Sequence, residues 1–180
     1  MAKKDAGTRV ISDRLRAEFN TQVGNELQAS NQYLAIAAHF ANAGLNELAK
    51  FFSKQSDEER DHAIKFVRFL TEADEPVEIP AVGKPRAQFG SALAIAQASL
   101  DWERTVTQQI YDLVDIARAE KSWIAMRFLD WFVNEQLEEM DLMKTLVDVL
   151  RSAGDNLLDV EQYLARYGGG VAPNPIGGGE

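Results

Sequence analysis

The second of four long periodic segments in this 180-residue chain carries the sequence Glu58-Glu59-Arg60-Asp61-His62 near its centre. In a helix, Glu59 and His62 leave the same face because they are three residues apart. The two ends of that face are apolar, with Phe52 on one side and Phe66 on the other. A carboxylate and an imidazole therefore interrupt a stripe that should pack against the core of the protein.

The other three segments show the same interruption. Glu26 lies on the apolar stripe of the first segment and Glu103 on that of the third. The fourth stripe carries Gln136 and Glu139, again three residues apart, and no lysine or arginine lies on any of the four stripes. Burying an ionised carboxylate without a partner costs several kcal/mol. The four glutamates must therefore be protonated, face water or share cations, and a bound pair of cations removes their repulsion directly.

The types of ligand indicate which metal would bind. Single glutamates from two helices, combined with Glu-x-x-His pairs from others, are the ligand pattern of di-iron helical bundles. Mixed carboxylate and imidazole ligands suit iron or manganese better than structural zinc, which prefers four ligands rich in sulfur or nitrogen. The spacing of these residues predicts a two-metal centre inside a helical bundle.

Glycine and proline separate the helices. The short break Asn42-Ala43-Gly44 divides segment 12–41 from segment 45–73. All five prolines fall in two stretches, and the first of these stretches, residues 74–88, connects the second helix to the third. The pattern predicts an all-α fold, namely a four-helix bundle with a long middle crossover and a short fifth C-terminal helix. The expected third and fourth helices cover 89–120 and 122–152, and Gly154 ends the fourth.

The expected organisation has four parts. They are an N-terminal extension (1–11), the bundle (12–153), a short C-terminal helix (154–167) and a flexible tail rich in glycine and proline (168–180). The tail contains Pro173-Asn174-Pro175-Ile176, which could dock into a larger encapsulating shell protein or could simply be an extension without a partner.

Composition excludes several classes of function. Acidic residues outnumber basic ones 28 to 19, for a formal net charge of −9, which argues against nucleic-acid binding. No run of apolar residues is long enough for a membrane span, and the N-terminus lacks the apolar stretch of a secretory signal. Because the chain has no cysteine, it offers no disulfide and no thiolate ligand. We expect a cytoplasmic protein.

Four stretches of the chain form a recognisable set of motifs, one in each predicted long helix. They are NELQASNQY (25–33), EERDH (58–62), WE (102–103) and NEQLEE (134–139). These stretches resemble the helix motifs of the ferritins, and of the bacterial non-haem ferritins in particular. The resemblance spans roughly residues 12–167 and implies a ferritin-like bundle assembled into a homo-oligomeric shell of 24 subunits.

The resemblance also implies roles for individual residues. One iron would be held at Glu26 and His62, Glu59 would bridge, and the second iron would be held at Glu103 and Glu139. Gln136 would lie beside the second iron, and Tyr33 matches a tyrosine that lies next to the centre. We therefore expect two to three iron ions per subunit. The residues that would form the third site together with Glu139 are Glu58, Glu135 and Glu138.

Two of these expectations have alternatives on the residues alone. Glu58, Glu135 and Glu138 lie one position off the apolar stripes, so spacing by itself favours a solvated face. Tyr33 would be an ordinary core tyrosine on physical grounds.

Haem is not expected. The bacterioferritins, which bind haem, carry a second Glu-x-x-His on the fourth helix, where this chain has Gln136 and Glu139. Their haem-ligating methionine falls between the glutamate and the histidine of the second helix, where this chain has Arg60-Asp61.

The sequence thus predicts an iron-storage ferroxidase that oxidises Fe(II) with dioxygen or peroxide and stores the ferric product inside the shell. Two alternatives remain at this point. One is a di-metal oxidase of organic substrates, or a manganese enzyme, on the same bundle. The other is a non-catalytic helical scaffold, which leaves the buried charge unexplained.

Overall fold

In the computed structural model, which describes residues 9–167, the chain folds into five α-helices. This confirms the predicted all-α class with a long crossover in the middle and a short fifth helix. The predicted tail, its docking sequence and most of the N-terminal extension lie outside the described residues. The helices are α1 (Asp13–Asn42), α2 (Asn46–Glu72), α3 (Ala92–Ala119), α4 (Trp123–Ala153) and α5 (Leu157–Tyr167).

Local capping sets the helix ends. The hydroxyl of Ser12 accepts a hydrogen bond from the backbone N–H of Leu15 at 3.0 Å and so begins α1. Helix α3 begins at Ala92 rather than near residue 89 as predicted, because the hydroxyl of Ser91 caps it by accepting from the N–H of Ala94 at 3.2 Å. Gly154 ends α4 with a φ of +59°, a conformation that glycine adopts without strain.

Contacts between side chains define the directions of the helices. Phe19, near the start of α1, lies against Phe66 near the end of α2, with ring centroids 5.3 Å apart. Phe40, near the end of α1, stacks on Phe52 near the start of α2 at 5.6 Å. Helices α1 and α2 are therefore antiparallel, as the short connection between them requires.

Helix α3 is also antiparallel to α1. Asn25 of α1 bonds to Gln109 of α3, and Tyr33, later in α1, bonds to Glu103, earlier in α3. Helices α2 and α3 consequently run parallel, and only a connection that travels the length of the bundle can join them. Residues 73–91 form that crossover.

The crossover lies along α1 and explains a glycine in the middle of that helix. The side chain of Asn20 donates to the carbonyl of Pro76 at 3.2 Å and accepts from the N–H of Glu78 at 2.7 Å. A Cβ atom at Gly24 would lie 2.5 Å from Cγ of Pro80. Glycine in a helix costs up to about 1 kcal/mol relative to alanine, and here it allows the crossover to approach the helix closely.

Two apolar clusters fill the opposite ends of the bundle and leave its middle to polar residues. Helix α5 packs against α2 and α4 and buries Val160 and Leu164 in one of these clusters. The carboxylate of Glu161 accepts hydrogen bonds from the backbone N–H groups of Glu47 (2.8 Å) and Leu48 (2.9 Å), so α5 caps the start of α2. The described part of the chain contains no helix with the length and apolarity of a membrane span.

Candidate metal centre

Four helices each place a glutamate in the polar middle of the bundle. Glu26 of α1 and Glu103 of α3 are fully buried, Glu59 of α2 is 2% exposed and Glu139 of α4 is 5% exposed. Within residues 9–167, no lysine or arginine forms an ion pair with any of these four carboxyl groups. We call these glutamates, together with His62, the acidic layer.

His62 lies between two groups of carboxylates. One ligand atom each from Glu26, Glu59 and His62 lies within 4.8 Å of the other two, and the same is true of His62, Glu135 and Glu139. Nδ1 of His62 is 3.4 Å from Oε2 of Glu59, whereas its Nε2 is 3.6 Å from Oε1 of Glu135. The two ring nitrogens therefore face different carboxylates.

Each member of the acidic layer has one ligand atom that is buried and lacks a hydrogen-bond partner among the described residues. Unpartnered buried polar atoms are rare, because each loses its hydration without compensation. Five of them directed into one layer fit a site that is completed by bound cations. The atoms are Oε2 of Glu26, Glu59, Glu103 and Glu139, and Nδ1 of His62.

Burial alters the protonation of this layer. It raises the pKa of Glu103 to about 7, and burial together with the charge of Glu103 raises the pKa of Glu139 to about 8. The pKa values of Glu26 and Glu59 are raised well above the usual range, mainly by burial and next by the charge of a neighbouring glutamate. Without a cation the layer holds protons at neutral pH, and these protons must leave when a cation binds.

Tyr33 joins the acidic layer to the apolar core. Its ring packs beside Phe52, with centroids 5.8 Å apart, and its hydroxyl donates to Oε1 of Glu103. Burial and then the charge of Glu103 raise the pKa of Tyr33 well above its usual range, so the phenol keeps its proton. The bond leaves Oε2 as the free oxygen of Glu103.

Sequence reasoning missed two side chains that contact the predicted site residues. The hydroxyl of Thr107 lies 3.0 Å from Oε1 of Gln136, which is 1% exposed, and 2.8 Å from the backbone carbonyl of Glu103. Nε2 of Gln22 donates to Oε1 of Glu26 at 2.9 Å. The spacing of four residues between Gln22 and Glu26 could have indicated this second contact.

The three residues predicted for a third iron are only partly brought together. Glu135 lies beside His62, and its side chain is 24% exposed. Glu58 bonds to other residues of α2, since its Oε1 is 3.0 Å from Nζ of Lys54 and its Oε2 accepts from Gln55, although its charge also raises the pKa of Glu139. Glu138 is exposed, and neither it nor Glu58 belongs to the two groups of ligand atoms within 4.8 Å.

Comparison with known sequences identifies the family. The sequence profile of the ferritin-like domain matches residues 16–153. This chain belongs to the ferritin family. This ferritin is 42% identical to Ferritin BfrB of Mycobacterium tuberculosis over 153 residues, which cover 85% of this chain and 84% of that protein. It is 33% identical to the bacterial non-heme ferritin of Staphylococcus epidermidis, over 82% of this chain and 89% of that protein.

Solved structures show the same fold. A novel open pore ferritin from the archaeon Archaeoglobus fulgidus superposes on this ferritin with a TM-score of 0.85 at 31% identity, covering 88% of this chain and 98% of that one. A structure described as a humanized archaeal ferritin gives a TM-score of 0.84 at 30% identity, over 86% and 96% of the two chains. The predicted ferritin-like bundle and the predicted family are thereby confirmed.

Proposed function

We propose that this ferritin is an iron-storage ferroxidase whose acidic layer binds two Fe(II) ions and oxidises them. The observation that supports the proposal is the layer of buried, unpartnered ligand atoms contributed by four helices. In this assignment Gln136 lies beside the second iron and Tyr33 donates to Glu103 from the edge of the site. The proposed ligands are Glu26, Glu59, His62, Glu103 and Glu139.

Iron is the substrate of this reaction. Two Fe(II) ions give two electrons to dioxygen, which takes up two protons and leaves as hydrogen peroxide, and two Fe(III) ions remain. The carboxylates lose their protons on binding, and their negative charge stabilises Fe(III) more than Fe(II) because the attraction grows with the charge of the cation. Peroxide can serve as the oxidant in the same way, by accepting two electrons and two protons to give water.

The remaining parts of the proposal concern assembly and stoichiometry. We place this ferritin in the cytoplasm as a 24-subunit shell, and the surface exposure of Trp123 (72%) and Leu158 (68%) supports contacts between subunits. Two further expectations stay predictions. One is a third iron bound by Glu58, Glu135 and Glu138, and the other is the lack of haem. Docking of the tail to an encapsulating shell protein also stays a prediction.

A second candidate, a di-metal oxidase of organic substrates, needs a pocket at the metal centre. A cavity of about 690 Å³ lies between α1, α3 and the crossover, and it is bordered by Tyr33 and Trp102. None of the described ligands of the acidic layer borders this cavity. The position of the cavity therefore favours the ferroxidase. Comparing oxidation of Mn(II) with that of Fe(II) addresses the manganese alternative.

The first test is aerobic addition of Fe(II) to the purified apoprotein, followed by ferric absorbance and particle size. We expect about two Fe(II) per subunit to be oxidised in a fast phase. The double variant Glu59→Ala with His62→Ala should lose that phase, because it removes two proposed ligands. It should keep its helical circular dichroism, because alanine has the highest helix propensity.

The matched control is Glu18→Ala with His39→Ala. It deletes the same two residue types at an exposed position on α1 and at a histidine that packs beside Phe89 away from the acidic layer. This control should keep the fast phase. A fast phase that persists in the Glu59→Ala, His62→Ala variant would show that the acidic layer is not the site of oxidation. That result would favour the alternative that this bundle is a non-catalytic scaffold.

A further inference from the structure

A row of three side-chain amides leads from α3 to the acidic layer. Nδ2 of Asn25 lies 3.1 Å from Oε1 of Gln109 and 3.0 Å from Oε1 of Gln22, and it donates to both. Nε2 of Gln22 then donates to Oε1 of Glu26 at 2.9 Å. We call Gln109, Asn25 and Gln22 the amide relay.

The relay has a fixed direction. The amide nitrogen of Asn25 uses one hydrogen for each neighbour, so the oxygens of both glutamines point toward it. A glutamine amide carries its oxygen and its nitrogen on opposite sides. Once the oxygen of Gln22 faces Asn25, its N–H must face Glu26. Gln22 is only 2% exposed, so water does not offer it another partner.

The direction decides which oxygen of Glu26 is free. Oε1 accepts the hydrogen bond from Gln22, whereas Oε2 is buried and has no partner among the described residues. The geometry points to a role for the amide relay in positioning Glu26, so that Glu26 presents Oε2 alone to a bound cation as a one-oxygen ligand. This inference rests on the proposed function, because it requires a cation in the acidic layer.

The expected size of the effect follows from metal sites in general. Partners that orient a ligand without touching the metal typically change metal affinity by about 10- to 100-fold when they are removed. Gln22 contacts Glu26 directly and Asn25 acts only through Gln22. Both are therefore positioning residues, and substitutions at Asn25 can test the relay without altering any atom next to the cation.

The central variant is Asn25→Asp, which keeps the shape of the side chain and adds a negative charge. Charge alone should strengthen the binding of a cation. The relay predicts the opposite, because a carboxylate only accepts hydrogen bonds. Gln22 would turn its N–H toward position 25 and its oxygen toward Glu26, which would leave Glu26 without its donor. We expect the first Co(II) to bind about tenfold more weakly to the apoprotein.

The measurement is an anaerobic titration with Co(II), a redox-stable probe, followed by calorimetry and by visible absorbance of the bound metal. The charge-matched control is Gln28→Glu. It makes the same amide-to-carboxylate change one turn further along α1, at a side chain that has no hydrogen bond to the relay within residues 9–167. We expect no weakening in this control.

A double-mutant cycle tests whether Asn25 acts through Gln22. Gln22→Met removes the donor at similar length and should also weaken the first Co(II) about tenfold. Adding Asn25→Asp to Gln22→Met should not weaken Co(II) binding further, because residue 22 then has no amide whose orientation a carboxylate at position 25 could change. A merely structural role would give separate, additive losses.

Two failures are distinguishable. If the unsubstituted apoprotein binds no Co(II), the proposed metal centre itself is wrong. If it binds Co(II) and Asn25→Asp binds as tightly as Gln28→Glu, the relay is overturned and the centre stands. Circular dichroism monitors folding. Should Asn25→Asp not fold, equal affinity of Gln22→Met and Gln28→Glu would overturn the relay in the same way.

Discussion

Two neighbouring layers of the same bundle are built on opposite principles. An aromatic layer joins rings of α1, α2 and α4, and Phe66 lies at its centre, 4.4 Å from Phe132 and 5.3 Å from Phe19 between ring centroids. The acidic layer begins one helical turn away, since His62 precedes Phe66 by four residues. The full aromatic layer comprises Phe19, Phe66, Phe69, Phe128 and Phe132.

The difference shows how one set of helices can hold both a self-sufficient apolar layer and a candidate metal centre. Rings in the aromatic layer contact one another in edge-to-face, tilted and stacked pairs. They need no solvent or ligand, so their burial stabilises the fold directly. The acidic layer contains unpartnered atoms and carboxyl groups with raised pKa values, so its stability depends on protons or cations. The aromatic layer offsets that cost and contacts the acidic layer where Phe132 packs beside His62, with ring centroids 6.0 Å apart.

The largest loss of stability from a single substitution is expected in the aromatic layer. Phe66 is fully buried, and Phe66→Ala should lower the free energy of unfolding by about 3–5 kcal/mol, because it removes apolar burial and leaves a cavity. Denaturant unfolding of the apoprotein followed by circular dichroism measures this. The loss should be similar at pH 5 and pH 8, since no ionisable group is removed. A loss below about 1 kcal/mol would mean that the aromatic layer does not stabilise the bundle.

A pH-dependent effect should come from deprotonating the acidic layer. The folded-state pKa values of Glu103 (about 7) and Glu139 (about 8) lie above the ordinary value of 4.5. Between about pH 4.5 and pH 8, the folded state therefore binds more protons than the unfolded state. The stabilisation by these protons is complete below about pH 4.5 and is lost as pH rises through 7 and 8.

The apoprotein should therefore lose stability between pH 5 and pH 8.5, with each of the two groups contributing a slope of up to about 1.4 kcal/mol per pH unit. Glu103→Gln with Glu139→Gln mimics the neutral acids and should remove much of this slope. The control Glu18→Gln with Glu72→Gln changes two exposed carboxylates and should leave it in place. An equally steep slope in both double variants would assign the pH dependence to other groups.

The smallest loss of stability is expected from Tyr33→Phe, at the side chain that joins the acidic layer to the apolar core. Tyr33→Phe keeps the buried ring and deletes the hydroxyl that donates to Glu103. Loss of a hydrogen bond to a charged group typically costs about 1.5–3 kcal/mol, and to a neutral group about 0.5–1.5 kcal/mol. We therefore expect a larger loss at pH 8, where Glu103 is ionised, than at pH 5. Tyr111→Phe, at a tyrosine that is 44% exposed, provides the comparison. Equal losses in the free energy of unfolding at both pH values would mean that the Tyr33 hydroxyl does not stabilise the ionised form of Glu103.

The helical bundle and the burial of its four glutamates could be predicted from local sequence patterns. Helical periodicity is a local property, so a glutamate at position 59 or 103 must share the buried face of its own apolar neighbours. The same local reasoning could have found that Lys54 holds Glu58, since the two residues are four apart on α2. It placed the start of α3 three residues too early because it gave no weight to Ser91 as a cap.

Features that join distant parts of the chain could not be predicted in this way, because they depend on how the helices pack. The glycine at position 24 is explained by Pro80, 56 residues later, and no pattern within α1 indicates that contact. The orientation of Gln22 depends on Asn25, whose amide also bonds to Gln109 on another helix. An amide can donate or accept, and its direction is therefore fixed by partners whose positions are known only once the helices have packed.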